Sequence, residues 1–278
     1  MTNKELEEKY RAETRASLRR KEQPYEGYMS DQQLKKVQPP LAKAKMCDVQ
    51  IDLPRNFEDL NLTKNFTQIL IERKSSRIYT NDNISLLQLS YLLWAAQGVK
   101  SIRGKRYATI RTVPCGGARH PFELYFFAQH VEGIVPGYYH YLPMTHQIEC
   151  IEENPDMFEM LNDIMMGQGW AKKSSVIFIY SIVPYRAEWR YGVNATQLSM
   201  NDLGHVGENV YLACSALGLG TCGVGACEYE ECDKLFKLNT DEEFTIYSQT
   251  IGTVDEKTAL KEEDLYAFLK TEEDEYVN

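Results

Sequence analysis

From residue 60 onward the apolar positions recur with two periods. Leu62, Phe66, Ile69 and Leu70 return every three or four residues up to Arg73, which predicts a first core helix. Ser85 precedes the run LLQLSYLLWAAQ and Gly98 follows it, so a helix capped by Ser85 and stopped at Gly98 is expected. That run is apolar nearly all round, as a buried helix would be. Residues 106–113 (RYATIRTV) and 122–129 (FELYFFAQ) read as strands. GYYHY at 137–141 and QIECI at 147–151 predict a hairpin, and a short helix is expected after Pro155. VIFIYSIV at 176–183 has no polar alternation, which suits a central strand covered on both faces. The longest helix is predicted from Asn194 to Leu217, with Leu198, Val206, Val210, Ala213 and Leu217 as its stripe. A glycine-rich turn (219–226), a short helix (230–236) and a strand (244–252) come next, and a tail helix is expected through Leu260, Leu265 and Phe268. Strands and helices interspersed in this way predict an α+β layer arrangement.

Upstream the pattern is weaker. Residues 1–22 read as a charged helix with little apolar face, and Pro39-Pro40 and Pro54 keep 23–57 extended. Such a stretch is too long for an ordinary loop. Tyr25, Tyr28, Leu34, Val37, Leu41 and Ile51 would be wasted in solvent, so the arm is expected to wrap a surface. Charge adds to this picture. The 278 residues carry a net charge of −9, which argues against nucleic acid or an anionic membrane as partner. Residues 1–45 hold 11 bases against 7 acids, whereas residues 255–278 hold 3 against 9. No window is apolar enough for a membrane span and the first residues show no apolar signal region, so a cytoplasmic location is expected. Seven cysteines without a C-x-x-C pair predict reduced thiols and no zinc or iron–sulfur site. Cys214 reads as a core thiol, and His205 as a satisfied core histidine.

Four places carry more than packing. Arg73, Lys74, Ser75 and Arg77 combine forked donors, a point charge and a hydroxyl, the donor set of a phosphate grip; a solvated helix end is the alternative. Pro114, Cys115, Gly116, Gly117 and Ala118 join two strands, and the paired glycines suit either a tight connection or close backbone approach to a ligand. Gly223, Val224 and Gly225 expose further backbone donors, or simply lead from helix into strand; they lack the strand–turn–helix context of a dinucleotide fingerprint. Arg190 and Tyr191 lie on an expected loop after the buried strand, where ligand contacts are common, as are packed aromatic clusters.

In this order the four places resemble the FMN-dependent nitroreductase superfamily, and within it the SagB-type azoline dehydrogenases. The resemblance rests on Arg73-Lys74-Ser75-Ser76-Arg77, the run Leu89–Gly98, Pro114–Tyr125, Gly137–Tyr141, Gly204-His205 with Asn209, and the L-G-L-G at 217–220, over about residues 50–254. It implies an antiparallel sheet flanked by helices and an intertwined homodimer with FMN at the subunit interface. Arg73, Lys74, Ser75 and Arg77 would hold phosphate and ribitol. Residues 114–118, from the other subunit, would line the flavin, and 223–225 would aim backbone N–H groups at its N5/O4 edge. Arg190 and Tyr191 would be the catalytic pair.

Three positions depart from the family pattern. Cys115 stands where serine is usual, and Thr253 where many members have a basic residue. Arg190 replaces the lysine of the dehydrogenases' K-Y-G, and an arginine cannot act as a base. Tyr191 can still exchange a proton. The resulting expectation is a homodimeric FMN oxidoreductase acting on a small molecule or peptide, with NAD(P)H as a candidate electron donor. The alternatives are an azoline dehydrogenase of peptide modification, a flavin-binding scaffold subunit without turnover, and a flavin-consuming enzyme of the same superfamily. The chain would divide into an arm (1–57), an FMN-binding domain (58–254) and an acidic tail (255–278).

Overall fold

Strands β4 (Phe122–Ala128) and β7 (Val176–Ile182) form the middle of a seven-stranded sheet, and every one of their residues is buried. The computed structural model describes residues 2–18, 26–105 and 107–255. Side chains alternate between faces along each strand. Phe122, Leu124, Phe126, Val176, Phe178 and Tyr180 enter one core together with Leu89, Leu92 and Leu93 of α3 (Leu86–Gln97) and Val206, Val210 and Cys214 of α6 (Ala195–Leu217). Tyr125, Phe127, Ile177 and Ile179 enter a second core with Leu161 and Ile164 of α4 (Phe158–Ile164) and Cys232 of α7 (Tyr229–Leu235). Two helical layers cover the sheet, which explains why the central strands lack polar alternation.

The remaining strands are β1 (Gln50–Asp52), β5 (Gly137–Leu142), β6 (Gln147–Glu153), β8 (Gly220–Val224) and β9 (Phe244–Gly252). The order is β1-β6-β5-β4-β7-β9-β8, and each pairing is antiparallel. A separate hairpin joins β2 (Val99–Arg103) to β3 (Ala108–Arg111). Ser85 closes a reciprocal cap on α3: its hydroxyl accepts from Gln88 N at 3.1 Å, and its own N–H donates to Gln88 Oε1 at 2.9 Å. Gly218, in the left-handed region, ends α6.

Four local expectations are corrected. Helix α2 (Phe66–Glu72) forms but buries none of its residues; Phe66 is 63% and Ile71 77% exposed. Helical periodicity reports an apolar face without saying what covers it. The segment after β7 is helix α5 (Pro184–Tyr191) instead of a loop, with Pro184 pre-set for the first helical turn. Residues 220–224 form edge strand β8 instead of a turn, its inner edge paired with β9. His205 lies outside the core, with its side chain half in solvent.

The described part of the N-terminal stretch comprises α1 (Asn3–Leu18) and a strap that crosses the domain. Lys43 N–H donates to Glu123 at 2.7 Å, and Met46 and Cys47 N–H both donate to Glu149 at 2.7 Å. β1 then pairs with β6. Leu34 and Val37 stay exposed, against expectation. The predicted tail helix lies outside the described residues, as does Tyr25. No helix among the described residues is long and apolar enough to cross a membrane.

Candidate functional site

The end of α2 runs along the free edge of β8. Ser76 N–H donates to Thr221 O at 2.8 Å, and Ser75 forms a bridge to Thr221. This contact carries the basic cluster to the strand's outer edge. Ser75 Oγ lies 3.0 Å from Tyr211 Oη, and the same hydroxyl accepts from Gly223 N–H at 2.8 Å. Arg73 lies over the Tyr211 ring at 5.5 Å and Arg77 over Trp170 at 5.8 Å. Among the described residues neither arginine forms an ion pair, so both charges are available to an anion. Lys74 is half-buried beside them. Val224 is buried, and Gly225 faces open space. A cavity of about 320 Å³ runs alongside, between α6 and β9, lined by Met200, Gly204, Gly207, Glu208, Tyr211 and Tyr247. The position expected to lack a cation holds Thr253, whose hydroxyl lies 2.6 Å from that of Thr80.

A second cluster forms around the glycine turn. Gly117 has φ +56, and a Cβ there would sit 2.5 Å from Tyr191 Oη and 2.8 Å from Arg190 Nε, so any side chain would be strained and would displace both residues. The Cys115 thiol donates to Asp202 Oδ2 at 3.0 Å and accepts from His120 N–H at 3.0 Å; Gly116 N–H donates to the same carboxylate oxygen at 2.9 Å. Burial and then the Asp202 hydrogen bond push the Cys115 thiol up to about 12. Pro114 is exposed at the turn's start, and Ala118 is half-buried with φ +54. Arg190 Nη1 donates to Tyr107 Oη at 2.6 Å, and its guanidinium lies over the Tyr191 ring at 5.5 Å. The turn, Arg190 and Tyr191 are thus one unit. The basic cluster and the 223–225 edge are another. Asp202 and Tyr211 mark the two units on α6, nine residues or about 13 Å apart along the helix.

A buried charge network fixes α5 behind this second cluster. Arg186, one turn before Arg190, pairs with Glu123 at 2.5 Å and donates to His120 O at 3.3 Å. Burial opposes the charge on Glu123, but Arg186 and then His140 hold its carboxyl well below the usual range. Burial likewise opposes a charge on His140, yet Glu123 and Glu149 on either side raise its pKa. His140 Nδ1 lies 2.7 Å from Glu149, and Nε2 3.5 Å from Glu123 without a well-formed hydrogen bond.

The nitroreductase family profile matches residues 70–253. The chain belongs to the nitroreductase family. A Methanocaldococcus jannaschii protein named as a candidate nitroreductase is 32% identical over 190 residues, which cover 68% of this chain and 90% of the relative. The trifolitoxin-processing protein TfxB of Rhizobium leguminosarum bv. trifolii is 33% identical over 113 residues, 39% of this chain and 30% of that protein. In fold, the chain is similar to a chain of the E. coli microcin synthetase McbBCD complex with truncated pro-MccB17 bound: TM-score 0.57 at 16% identity, covering 92% of this chain and 95% of that one.

As a member of the nitroreductase family this chain is an oxidoreductase. Both clusters lie inside the matched span. Sequence reasoning missed Tyr107, Asp202, Tyr211 and Tyr247. Tyr107 falls inside the strand expected at 106–113, and the other three occupy ordinary helix or strand positions. The one available signal was on α6, where Asp202 falls on the apolar stripe between Leu198 and Val206 and is buried there, a carboxylate on the inward face of the helix.

Proposed function

We propose that this nitroreductase-family chain is an FMN-dependent oxidoreductase that works as a homodimer. The observation that carries the reading is the donor set at the α2–β8 junction: two arginines without acidic partners among the described residues, Lys74 and the Ser75 hydroxyl, beside the strand edge where Tyr211 holds the Gly223 N–H. That set fits a phosphate monoester followed by a polyol. Arg73, Arg77 and Lys74 would hold the phosphate and Ser75 a ribitol hydroxyl, with Gly223, Val224 and Gly225 lining the ring edge. When bound, flavin supplies reversible two-electron hydride chemistry.

The glycine turn, Arg190 and Tyr191 form a separate cluster in the same chain. A second copy would bring its own turn to the first copy's basic cluster, and exposed Phe66 and Ile71 on α2 give that copy an apolar surface to cover. In this reading Arg190 polarises a carbonyl or anionic group of the substrate, and Tyr191 exchanges a proton. Residues 1–57 and 255–278 are extensions of the catalytic unit at 58–254.

The test is the absorbance spectrum of the purified protein. Oxidised-flavin bands are expected in the wild type, and the double variant Arg73→Ala/Ser75→Ala is expected to be colourless. Full flavin retention in the variant overturns the phosphate assignment. Anaerobic mixing with NADH or NADPH then tests the electron donor, since bleaching of the flavin bands reports hydride arrival.

A second reading is oxidation of a peptide heterocycle in peptide processing. The similarity to the trifolitoxin-processing protein favours it. Arg190 in place of a lysine base weighs against it, because a guanidinium does not accept a proton. Reduction of a small-molecule acceptor is therefore the direction we favour.

A further inference from the structure

We propose that Tyr107 is a further catalytic residue of this site, the phenol that delivers a proton to the substrate while Arg190 carries the charge left behind. The inference rests on the flavin reading above and moves the proton transfer given there to Tyr191 onto Tyr107.

Tyr107 sits between β2 and β3, on the loop of the small hairpin outside the main sheet. Its oxygen accepts two hydrogen bonds, one from Arg190 Nη1 at 2.6 Å and one from Gln32 Nε2 at 2.9 Å. A phenolic oxygen has two acceptor positions and one proton to give. With both acceptor positions filled by N–H donors, the O–H proton must point elsewhere, and no described residue accepts it. Tyr107 is 37% exposed, so a substrate can approach it beside the Arg190 side chain.

The ring is held as well as the oxygen. The Arg119 guanidinium lies 4.8 Å over it and 5.4 Å over Trp189, and Arg119 Nη2 donates to the Tyr107 carbonyl at 2.9 Å. Such stacking fixes an exposed aromatic ring in one orientation. Gln32 in turn is fixed from the strap, because its backbone N–H donates to Trp189 O at 2.7 Å. The phenol, the strap and α5 are therefore one assembly, and Gly117 presses against the other side of Arg190.

This arrangement gives Arg190 work that does not need it to lose a proton. When a substrate such as a quinone accepts a hydride, one of its oxygens becomes anionic. The Tyr107 O–H bond breaks, an O–H bond forms on that oxygen, and the phenolate left on Tyr107 faces the guanidinium N–H of Arg190. Solvent then returns the proton. The hydride and its two electrons come from reduced flavin, and the protein supplies only the proton. A preorganised cation at the atom where charge develops is the form of stabilisation that costs least to arrange during the reaction.

The test uses the flavin-loaded full chain, reduced anaerobically with dithionite and then mixed with one of two acceptors. Menadione needs a proton with its hydride; ferricyanide takes electrons alone. In Tyr107→Phe the ratio of the menadione rate to the ferricyanide rate is expected to fall by about 10²-fold or more, the usual scale of a lost general acid. The solvent deuterium effect on the menadione step is expected to change with it. An unchanged ratio, or equal slowing with both acceptors, overturns the proposal. A ratio that falls in Tyr191→Phe but not in Tyr107→Phe gives the proton to Tyr191 and also overturns it.

A flavin-free readout separates this proposal from the reading it rests on. The Arg190 guanidinium N–H signal in ¹⁵N NMR, assigned by its loss in Arg190→Lys, is expected in the wild-type apo chain and lost to solvent exchange in Tyr107→Phe. A signal that persists in the variant denies the Arg190–Tyr107 link. A wild-type chain that takes up no flavin while showing that link defeats the flavin reading, and the proton role with it.

Discussion

Glu123 Oε1 and Arg186 Nη2 lie 2.5 Å apart with almost no solvent on either side, and this pair ties the central strand β4 to the helix that presents Arg190 and Tyr191. Glu123 also accepts from the strap at Lys43 N and faces His140. Removing one member of a buried pair leaves the other charge uncompensated, at a cost of about 3–5 kcal/mol. Glu123→Gln keeps the shape and removes the charge. The variant is expected to melt on the order of 10 °C lower, measured by circular dichroism. A melting temperature within a degree or two of wild type would show that Arg186 finds another partner.

His146 makes the fold sensitive to acid. Ser90 spends its O–H on the Pro54 carbonyl, so its oxygen accepts from His146 Nε2–H at 2.8 Å, and Tyr141 O–H donates to His146 Nδ1 at 2.8 Å. The ring is thus held neutral, and burial followed by the charge of Arg55 lowers its pKa to about 4. The unfolded chain takes up that proton near pH 6.5 and the folded chain only near 4. Stability is therefore fully present above pH 6.5 and lost as pH falls from 6.5 toward 4. Asparagine tolerates the left-handed backbone at this site (φ 58). His146→Asn should be less stable at pH 7.5 and should lose stability less steeply between pH 6.5 and 4, as followed by urea midpoints. The remaining slope has several sources: His120, which burial and Arg111 lower to about 3, His130, which burial lowers, and at the acid end Glu123 and Glu149, whose charged partners hold them low. An undiminished slope in the variant would remove His146 from the account.

Some parts of this molecule could be read from local chemistry, and others only from contacts across the fold. The Ser85 cap, the buried β7 and the end of α6 at Leu217 each follow from a few adjacent residues, and the structure agrees with all three. Helix α2 was legible as a helix but not as an exposed one, because a stripe such as Phe66, Leu70 and Ile71 looks the same whether a core or a second surface covers it. β8 was hidden by its glycines. Their use is to admit Ser76 and Tyr247 close to the backbone, which is a tertiary fact. At the site, the basic cluster and the glycine turn were visible as motifs. Tyr107 was not: its role depends on Gln32, 75 residues away, and Arg190, 83 residues away.

Cys115 should be a slow thiol despite being only partly buried. Asp202 accepts its proton, and burial with that carboxylate raises the thiol from 9.0 to about 12. Only the thiolate reacts with iodoacetamide, so alkylation at pH 8 is expected about 10³-fold slower than for an unperturbed thiol. Asp202→Ala removes the acceptor and its charge and should speed the reaction, read as modified Cys115 peptide by mass spectrometry. Cys115→Ser keeps a donor to Asp202 and should leave the melting temperature close to wild type. Rapid labelling of Cys115 in the wild type would contradict the hydrogen bond.

Gly223 sits where the proposed flavin edge meets the sheet, and its neighbours leave no room for a side chain. A Cβ there would collide with the Tyr247 hydroxyl, while the ring carbon behind it lies at 3.0 Å and Tyr211 Oη at 3.6 Å. Gly223→Ala must push Tyr247 away from β8, and Tyr211, which accepts from Gly223 N–H and contacts Ser75, is next in line. The variant is expected to lose about 1–3 kcal/mol, the range for overpacking a close contact, and to hold flavin more weakly. Tyr247→Phe deletes the colliding oxygen but leaves the ring. The double variant Gly223→Ala/Tyr247→Phe should therefore recover part of the lost stability, and the two changes should couple in a double-mutant cycle by more than about 0.5 kcal/mol. Strict additivity would mean that Tyr247 is not what excludes a side chain at Gly223.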